Sequence, residues 1–489
     1  MMATTNSPDL KSKATRGILW TAVQKYSTMV IRFLSGIILA RLLEPEDYGC
    51  IGMLAIFMSL AEITIDAGFG SALIQKKQPT QTDYSTIFYF NLAMSTVAYI
   101  VLFLSAPSIA RFYHMPVLCS VLRVQGIILF IYALNIIQFN QLKKQLFFSR
   151  IAKATIIASV IGLGVTIYMA YHHYGVWSLV AQEIIVALIP LIIYWVSSKW
   201  RPSWTFSLTS LKKLFDFGGF MLLSSILNSI STQLNGLLIG RLYNPATMGY
   251  FSKASSTEGL ASTSVSSIMS QVTYPLYAAK QDSKEDLVNV IKRITMTIAF
   301  ITMPLMVLLC LTAKPLFVVL YSDKWLPCVP YFQLLCIAGI AVCLQSVNNQ
   351  AIAAIGKSKV MFKWTVIKRI VEIILVSIGI IVGGVYGLLI AMIIGNWFTY
   401  FVNAYNVSKY IGYPIKKQIA NLLPIFGATL SIFAITYICG KIFNLSFYLD
   451  GLVKIIVFLS CYGSWAFFAK PESCMYFVNI VKTTFLKKK

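Results

Sequence analysis

Long apolar runs separated by short polar connections account for almost the whole chain. They fall at about 17–42, 49–74, 84–109, 117–140, 151–172 and 176–197, and again at about 214–240, 249–276, 290–312, 328–354, 364–383 and 386–407. A last pair lies at about 419–440 and 450–469. Each run is near the ~20 residues a helix needs to cross ~30 Å of hydrocarbon. None shows the strict alternation of a spanning β-strand. The pattern predicts an all-α polytopic membrane protein with fourteen transmembrane helices. Four runs also carry polar stripes at helical spacing. Lys25, Thr28, Arg32 and Ser35 share one face of the first, and Ser59, Glu62 and Asp66 one face of the second. Ser224, Asn228, Ser231 and Asn235 mark the seventh; Ser255, Gly259, Ser262, Ser266 and Ser270 mark the eighth, with Glu258 beside them.

The chain also repeats itself. Arg41-Leu42-Leu43-Glu44-Pro45-Glu46-Asp47-Tyr48-Gly49 returns 200 positions later as Arg241-Leu242-Tyr243-Asn244-Pro245-Ala246-Thr247-Met248-Gly249. In both copies a proline and a glycine punctuate two apolar runs, as a turn requires. Ala106-Pro107, Asn140-Gln141 and Gly175-Val176-Trp177 have partners at Lys314-Pro315, Asn349-Gln350 and Gly384-Val385-Tyr386, offset by 208 or 209. The expected organisation is an N-terminal lobe at 1–205, a C-terminal lobe repeating it at 206–410, and a helix pair with a basic tail at 411–489. Six spans per lobe is an even number, so the lobes are like-oriented and related by an axis along the membrane normal, a transporter signature.

Composition narrows the class further. Only 12% of the residues are charged and 57% are hydrophobic, yet the formal net charge is +24. In a soluble protein that charge would suggest nucleic acid. Here Lys and Arg concentrate in alternate connections and in both tails, the positive-inside pattern of a protein with cytoplasmic termini beside anionic lipid. No nucleic-acid partner is expected. The polar, basic start and the long first apolar run do not read as a cleavable signal. Nine cysteines include no C-x-x-C pair, and His114, His172 and His173 lack metal spacing, so neither metal nor cofactor is expected. No nucleotide-binding G-x-x-x-x-G-K-[ST] motif is present.

Charges within spans cost about 2.5–3.5 kcal/mol each on insertion scales and need a reason. A hydrated cavity between the two halves would satisfy the polar faces of spans 1, 2, 7 and 8. Lys25 and Arg32 would favour an anionic cargo, phosphate above all, because the guanidinium fork matches phosphate oxygens. Asn228, Ser231, Asn235, Ser262 and Ser266 suit sugar hydroxyls. Glu62, Asp66 and Glu258 would balance charge or take up H⁺ or Na⁺. Plainer readings stand beside these: Arg32 paired with Glu62 or Asp66 between helices, and the Ser/Gly stripe of span 8 as close helix packing. Glu183 and Glu372 lack matching stripes. Pro190, Pro304 and Pro424 should kink spans 6, 9 and 13.

Several stretches carry a resemblance. They include Leu39-Ala40-Arg41-Leu42-Leu43, Asp66-Ala67-Gly68-Phe69-Gly70-Ser71-Ala72-Leu73-Ile74-Gln75-Lys76-Lys77, Tyr274-Pro275-Leu276-Tyr277, Lys324-Trp325, Phe332-Gln333-Leu334-Leu335-Cys336 and Gly356-Lys357. In these the chain resembles the polysaccharide-transporter (Wzx-type flippase) family of the multidrug/oligosaccharidyl-lipid/polysaccharide superfamily, in the branch of the colanic-acid exporter. The likeness covers roughly residues 15–410. It implies a MATE/MurJ-like fold of two pseudo-symmetric six-helix lobes plus a C-terminal helix pair. It also implies movement of an undecaprenyl-diphosphate-linked oligosaccharide across the bacterial inner membrane by alternating access, for O antigen, capsule or exopolysaccharide. The implied partners are that lipid-linked cargo, membrane lipids and, in an assembly complex, a polysaccharide polymerase. Two rival readings remain: a cation-coupled drug exporter of the same fold, and a membrane glycosyltransferase or polymerase, which should carry a larger outer loop than any found here.

Overall fold

The computed structural model describes residues 8–76, 78–443, 447–469 and 471–481. Lys77, Lys470, Lys482, Lys487, Lys488 and Lys489, predicted to lie in cytoplasmic segments, fall outside the described residues. Within them every regular element is helical. Two compact units are present, one ending at Gly249 and one beginning at Tyr250.

The first unit holds α1 (Pro8–Leu42), α2 (Pro45–Asp66), α3 (Phe69–Gln75), α4 (Gln81–Phe112), α5 (Val117–Gln125), α6 (Ile128–Lys144), α7 (Phe148–Tyr171), α8 (Val176–Ser197) and α9 (Leu208–Leu242). Local chemistry sets the helix ends. Glu44 and Asp47 form a reciprocal capping box, with Pro45 in the first turn. Thr80 and Asp83 do the same for α4, and the Asp83 carboxylate, 1% exposed, also meets Lys76 at 2.6 Å. α1 packs on α7, α7 on α8, and α9 on α2. One cluster of Leu39, Leu43, Ala170 and Leu179 ties the first of these interfaces together.

α10 (Pro245–Ala278) starts at the end of the first unit and continues into the second. There it is followed by α11 (Lys284–Leu311), α12 (Ala313–Tyr321), a 3₁₀ turn at Asp323–Trp325, α13 (Cys328–Ala354), α14 (Ser358–Ile411), α15 (Ile415–Phe443), α16 (Phe447–Ala469) and α17 (Glu472–Val481). α14 is two helices joined at Gly383 and Gly384, whose backbone leaves the helical region. Gly379 and Gly387 face each other across that hairpin, each too close to the other's carbonyl to admit a side chain.

Among the described residues, ten helices are apolar and long enough to cross a membrane on hydropathy alone, and one of them, Lys359–Ile411, is the joined pair. α1, α9 and α10 have the length, at 35, 35 and 34 residues, but are too polar to qualify in the same way. Splitting the pair and adding these three is consistent with the fourteen predicted spans. Their polarity has a physical consequence: such helices need protein or water along one face, because lipid cannot satisfy it. Two predicted spans are interrupted. The second breaks after Asp66, where Ala67 and Gly68 adopt left-handed φ values of 45° and 77°, and the fourth breaks at Gly126. Pro190, Pro304 and Pro424 lie inside helices as predicted, and Pro107 joins them in α4.

Candidate functional site

α1 carries two opposed faces. Leu19, Val23, Tyr26, Val30, Leu34 and Ile38 are exposed and recur every three or four residues, the mark of a lipid-facing stripe. At about 100° per residue, Lys25, Thr28, Arg32 and Ser35 project from the opposite side. Lys25 is half-buried and Arg32 exposed. The Thr28 hydroxyl donates to the Gln24 carbonyl at 2.8 Å, while Gln24 Nε2 reaches Thr155 on α7 at 3.2 Å. Ser35, 4% exposed, accepts from Gln182 Nε2 of α8 at 3.1 Å. The hydroxyls of the stripe are therefore committed to packing, whereas Arg32 is exposed. Arg32 borders a cavity of about 300 Å³ shared with Ser35, Tyr48, Gln182 and Glu183.

The acids distribute differently from the sequence pattern. Arg32 forms no ion pair with Glu62 or Asp66 among the described residues. Glu62 lines a second cavity, about 350 Å³, together with Ser59, Gln125 and Glu183. Glu183 Oε2 accepts from Gln125 Nε2 at 2.6 Å, and Gln125 is 3% exposed with its Oε1 unpartnered. Glu183 thus borders both the Arg32 cavity and the Glu62 cavity. Sequence spacing gave no sign of this, because the Gln125–Glu183 contact joins residues 58 apart. The available signal was the cost of a lone acid in an apolar run. Asp66, four residues after Glu62, belongs to neither cavity. It ends α2, and its Oδ1 accepts from the Gly70 amide at 3.1 Å.

α9 presents Asn228 exposed and Ser231 and Asn235 buried. Ser229, beside the predicted stripe, bonds Ser59 of α2 at 2.7 Å and is the hydroxyl that joins the two helices. The repeat turns are packing devices. A Cβ on Gly49 would overlap the Pro245 carbonyl, and one on Gly249 would overlap that of Pro45. Arg241 lies over the Phe112 ring at 5.0 Å and meets His114 Nε2 at 2.7 Å, and the Tyr113 hydroxyl donates to the Met53 carbonyl at 3.2 Å. Arg41 is exposed.

In the second unit, Ser262 is buried and Ser266 half-buried. Glu258, 9% exposed, has Oε1 without a hydrogen bond, and the space it occupies exists because residue 339 is glycine; a Cβ there would strike the carboxylate. Lys253, not singled out in the sequence, is buried against the Tyr321 ring at 4.1 Å and the Trp325 ring at 5.5 Å. Cation–π contact of this kind is how a membrane helix keeps an ammonium group away from hydrocarbon.

Within the first unit, polar faces of helices too polar for lipid border cavities lined by Arg32, Glu62 and Glu183. The solved structure of the lipid II flippase MurJ in its inward closed conformation superposes with a TM-score of 0.74 over 93% of this chain and 99% of that one, at 15% identity. Residues 38–330, more than half of the chain, match the family described as polysaccharide biosynthesis protein, and the chain belongs to it. It is 25% identical over 87% of its length to the teichuronic acid biosynthesis protein TuaB of Bacillus subtilis, covering 90% of that protein. It is 24% identical to the succinoglycan biosynthesis transport protein ExoT of Rhizobium meliloti, covering 80% of this chain and 79% of that one. The fold is that of the MurJ structure, and the chain is a multi-pass membrane protein.

Proposed function

We propose that this protein flips an undecaprenyl-diphosphate-linked oligosaccharide across the bacterial inner membrane, by alternating access, for surface polysaccharide assembly. One observation carries the reading: the cations of α1 sit opposite its exposed apolar stripe, and Arg32 borders a cavity and forms no ion pair among the described residues. A guanidinium in that setting offers a fork for diphosphate oxygens, and Lys25 adds a second charge on the same face. The relatives support the class of cargo, since one is named for teichuronic acid biosynthesis and another for succinoglycan transport, and the similar fold belongs to a lipid II flippase. Asn228 gives the glycan an exposed amide, while Ser231 and Asn235 back it. Ser262 and Ser266 of α10 are hydroxyls of the kind that suit sugar. Both termini lie in the cytoplasm under this reading.

Glu62 and Glu183, with Gln125 between them, are the acids best placed to take up H⁺ or Na⁺, and Glu258 is the corresponding acid of the second unit. Two carboxylates on one cavity repel unless a cation or proton is shared, which links ion occupancy to the packing of α2, α5 and α8. The test is complementation of a strain lacking the flippase. Arg32→Ala should abolish surface polysaccharide while the protein persists in the membrane at its normal level; unchanged polysaccharide would refute the role assigned to Arg32.

A further inference from the structure

The stretch Asp66-Ala67-Gly68-Phe69-Gly70 builds a third cavity, of about 410 Å³, separate from the Arg32 and Glu62 cavities. Asp66, Gly70, Tyr132, Asn135, Asn140 and Tyr194 line it. Its existence depends on the helix break. Because Ala67 and Gly68 turn left-handed, α2 stops at Asp66 and the Gly70 amide comes back to its carboxylate. A Cβ at Gly70 would come within 2.9 Å of both the Asn140 amide and Asp66 Oδ1 and fill the floor between them.

The polar groups around this space are under-used. Asn135 Oδ1 is buried without a hydrogen bond. Asn140, 8% exposed, makes no side-chain hydrogen bond among the described residues. A buried amide left unpaired is costly, and an apolar lining would avoid that cost. A ligand that brings hydroxyls would remove it. Lined by two neutral amides, with the Asp66 carboxylate balanced by the Lys143 ammonium, the space suits a neutral polyhydroxylated ring better than an anion, and Tyr132 and Tyr194 also line it. The volume lies within the range of small-ligand sites.

We propose that this cradle binds one neutral pyranose ring of the glycan cargo. The inference rests on the flippase reading for the origin of the sugar, but the binding itself does not require transport. The cradle adjoins the ends of α2 and α6, beside Lys143 and the Lys76 connection, which is the cytoplasmic side in the topology proposed above. A lipid-linked glycan would meet it on the side where it is assembled.

Saturation-transfer NMR on the full chain in nanodiscs tests this, with methyl glycosides of glucose, galactose, mannose and N-acetylglucosamine as probes. At least one should receive magnetisation on its ring protons, and the signal should fall at least tenfold in both Gly70→Ala and Asn135→Leu. The two variants act by different means, and each is checked for an unaltered melting midpoint. Transfer to none of the four sugars, or transfer equal to wild type in both variants, overturns the proposal, as does a signal abolished equally by NaCl with no sugar selectivity. Translocation of lipid-linked oligosaccharide is measured on the same nanodisc-purified protein after reconstitution. Sugar binding without translocation would remove the flippase reading and leave the cradle standing; translocation without sugar binding would do the reverse.

Discussion

α2 uses glycine in opposite ways at its two ends. At the Pro45–Gly49 turn the missing side chain lets one backbone lie directly on another, since Gly49 packs on the Pro245 carbonyl and Gly249 on that of Pro45. At the Asp66–Gly70 turn the missing side chain leaves a space bounded by the tips of Asp66 and Asn140. The first surface has no room for a ligand, and the second admits a side chain only when the tips of Asp66 and Asn140 move aside. Both lie in stretches that the sequence marks equally, one as a repeat and one as a resemblance. What a glycine does is decided by whether its neighbour is backbone, which cannot yield, or a side-chain end, which can.

The comparison can be broken by substitution. Gly49→Val and Gly249→Val should each destabilise the protein by about 1–3 kcal/mol, seen as a lower melting midpoint in detergent, because a carbonyl cannot move aside. Gly70→Val should leave that midpoint nearly unchanged while sugar binding is lost. If Gly70→Val melted as low as Gly49→Val, the two ends would be doing the same job. A smaller effect is expected at the acids of the Glu62 cavity. Glu183→Gln keeps the hydrogen-bond shape but removes one of two like charges, so it should reduce the dependence of transport on an imposed ion gradient by about tenfold (about 1.4 kcal/mol), measured as flux with and without the gradient.

The smallest effect lies at the far end of the chain. Lys292, at 2.7 Å, holds the Glu472 carboxyl of α17 below the ordinary carboxylate range. A lowered folded-state value means that the contact stabilises above the unfolded carboxyl's ordinary pKa and is lost as pH falls through the lowered one. Because the pair is partly exposed, Glu472→Gln should cost well under about 1 kcal/mol near neutral pH and flatten the acid limb of the melting curve.

Much of the fold was legible in the sequence because lipid imposes simple rules. Apolar runs of fixed length gave the spans, and the Gly383-Gly384 break between two of them was visible as a turn. The break after Asp66 was not, since Phe69 to Ile74 continues the apolar run and hides the left-handed turn at Ala67 and Gly68. The cationic face of α1 was legible because period 3.6 places Lys25 and Arg32 together within one helix. Glu62 and Asp66 share α2 as their i, i+4 spacing predicts, but Asp66 is where that helix stops, so its carboxylate meets the Gly70 amide while Glu62 lines its own cavity. The partner Glu62 meets across its cavity, Glu183, lies on another helix, and no local period reveals it.

The flipping reaction itself is tested most directly in reconstituted vesicles. Lipid-linked oligosaccharide from the native membrane is placed in vesicles containing the purified chain, and the fraction reaching the opposite leaflet is read by the accessibility of its sugars to an impermeant lectin. The account predicts translocation above that in protein-free vesicles, reduced at least tenfold by Arg32→Ala. Translocation no faster than in protein-free vesicles, or an Arg32→Ala protein as active as wild type, would contradict it.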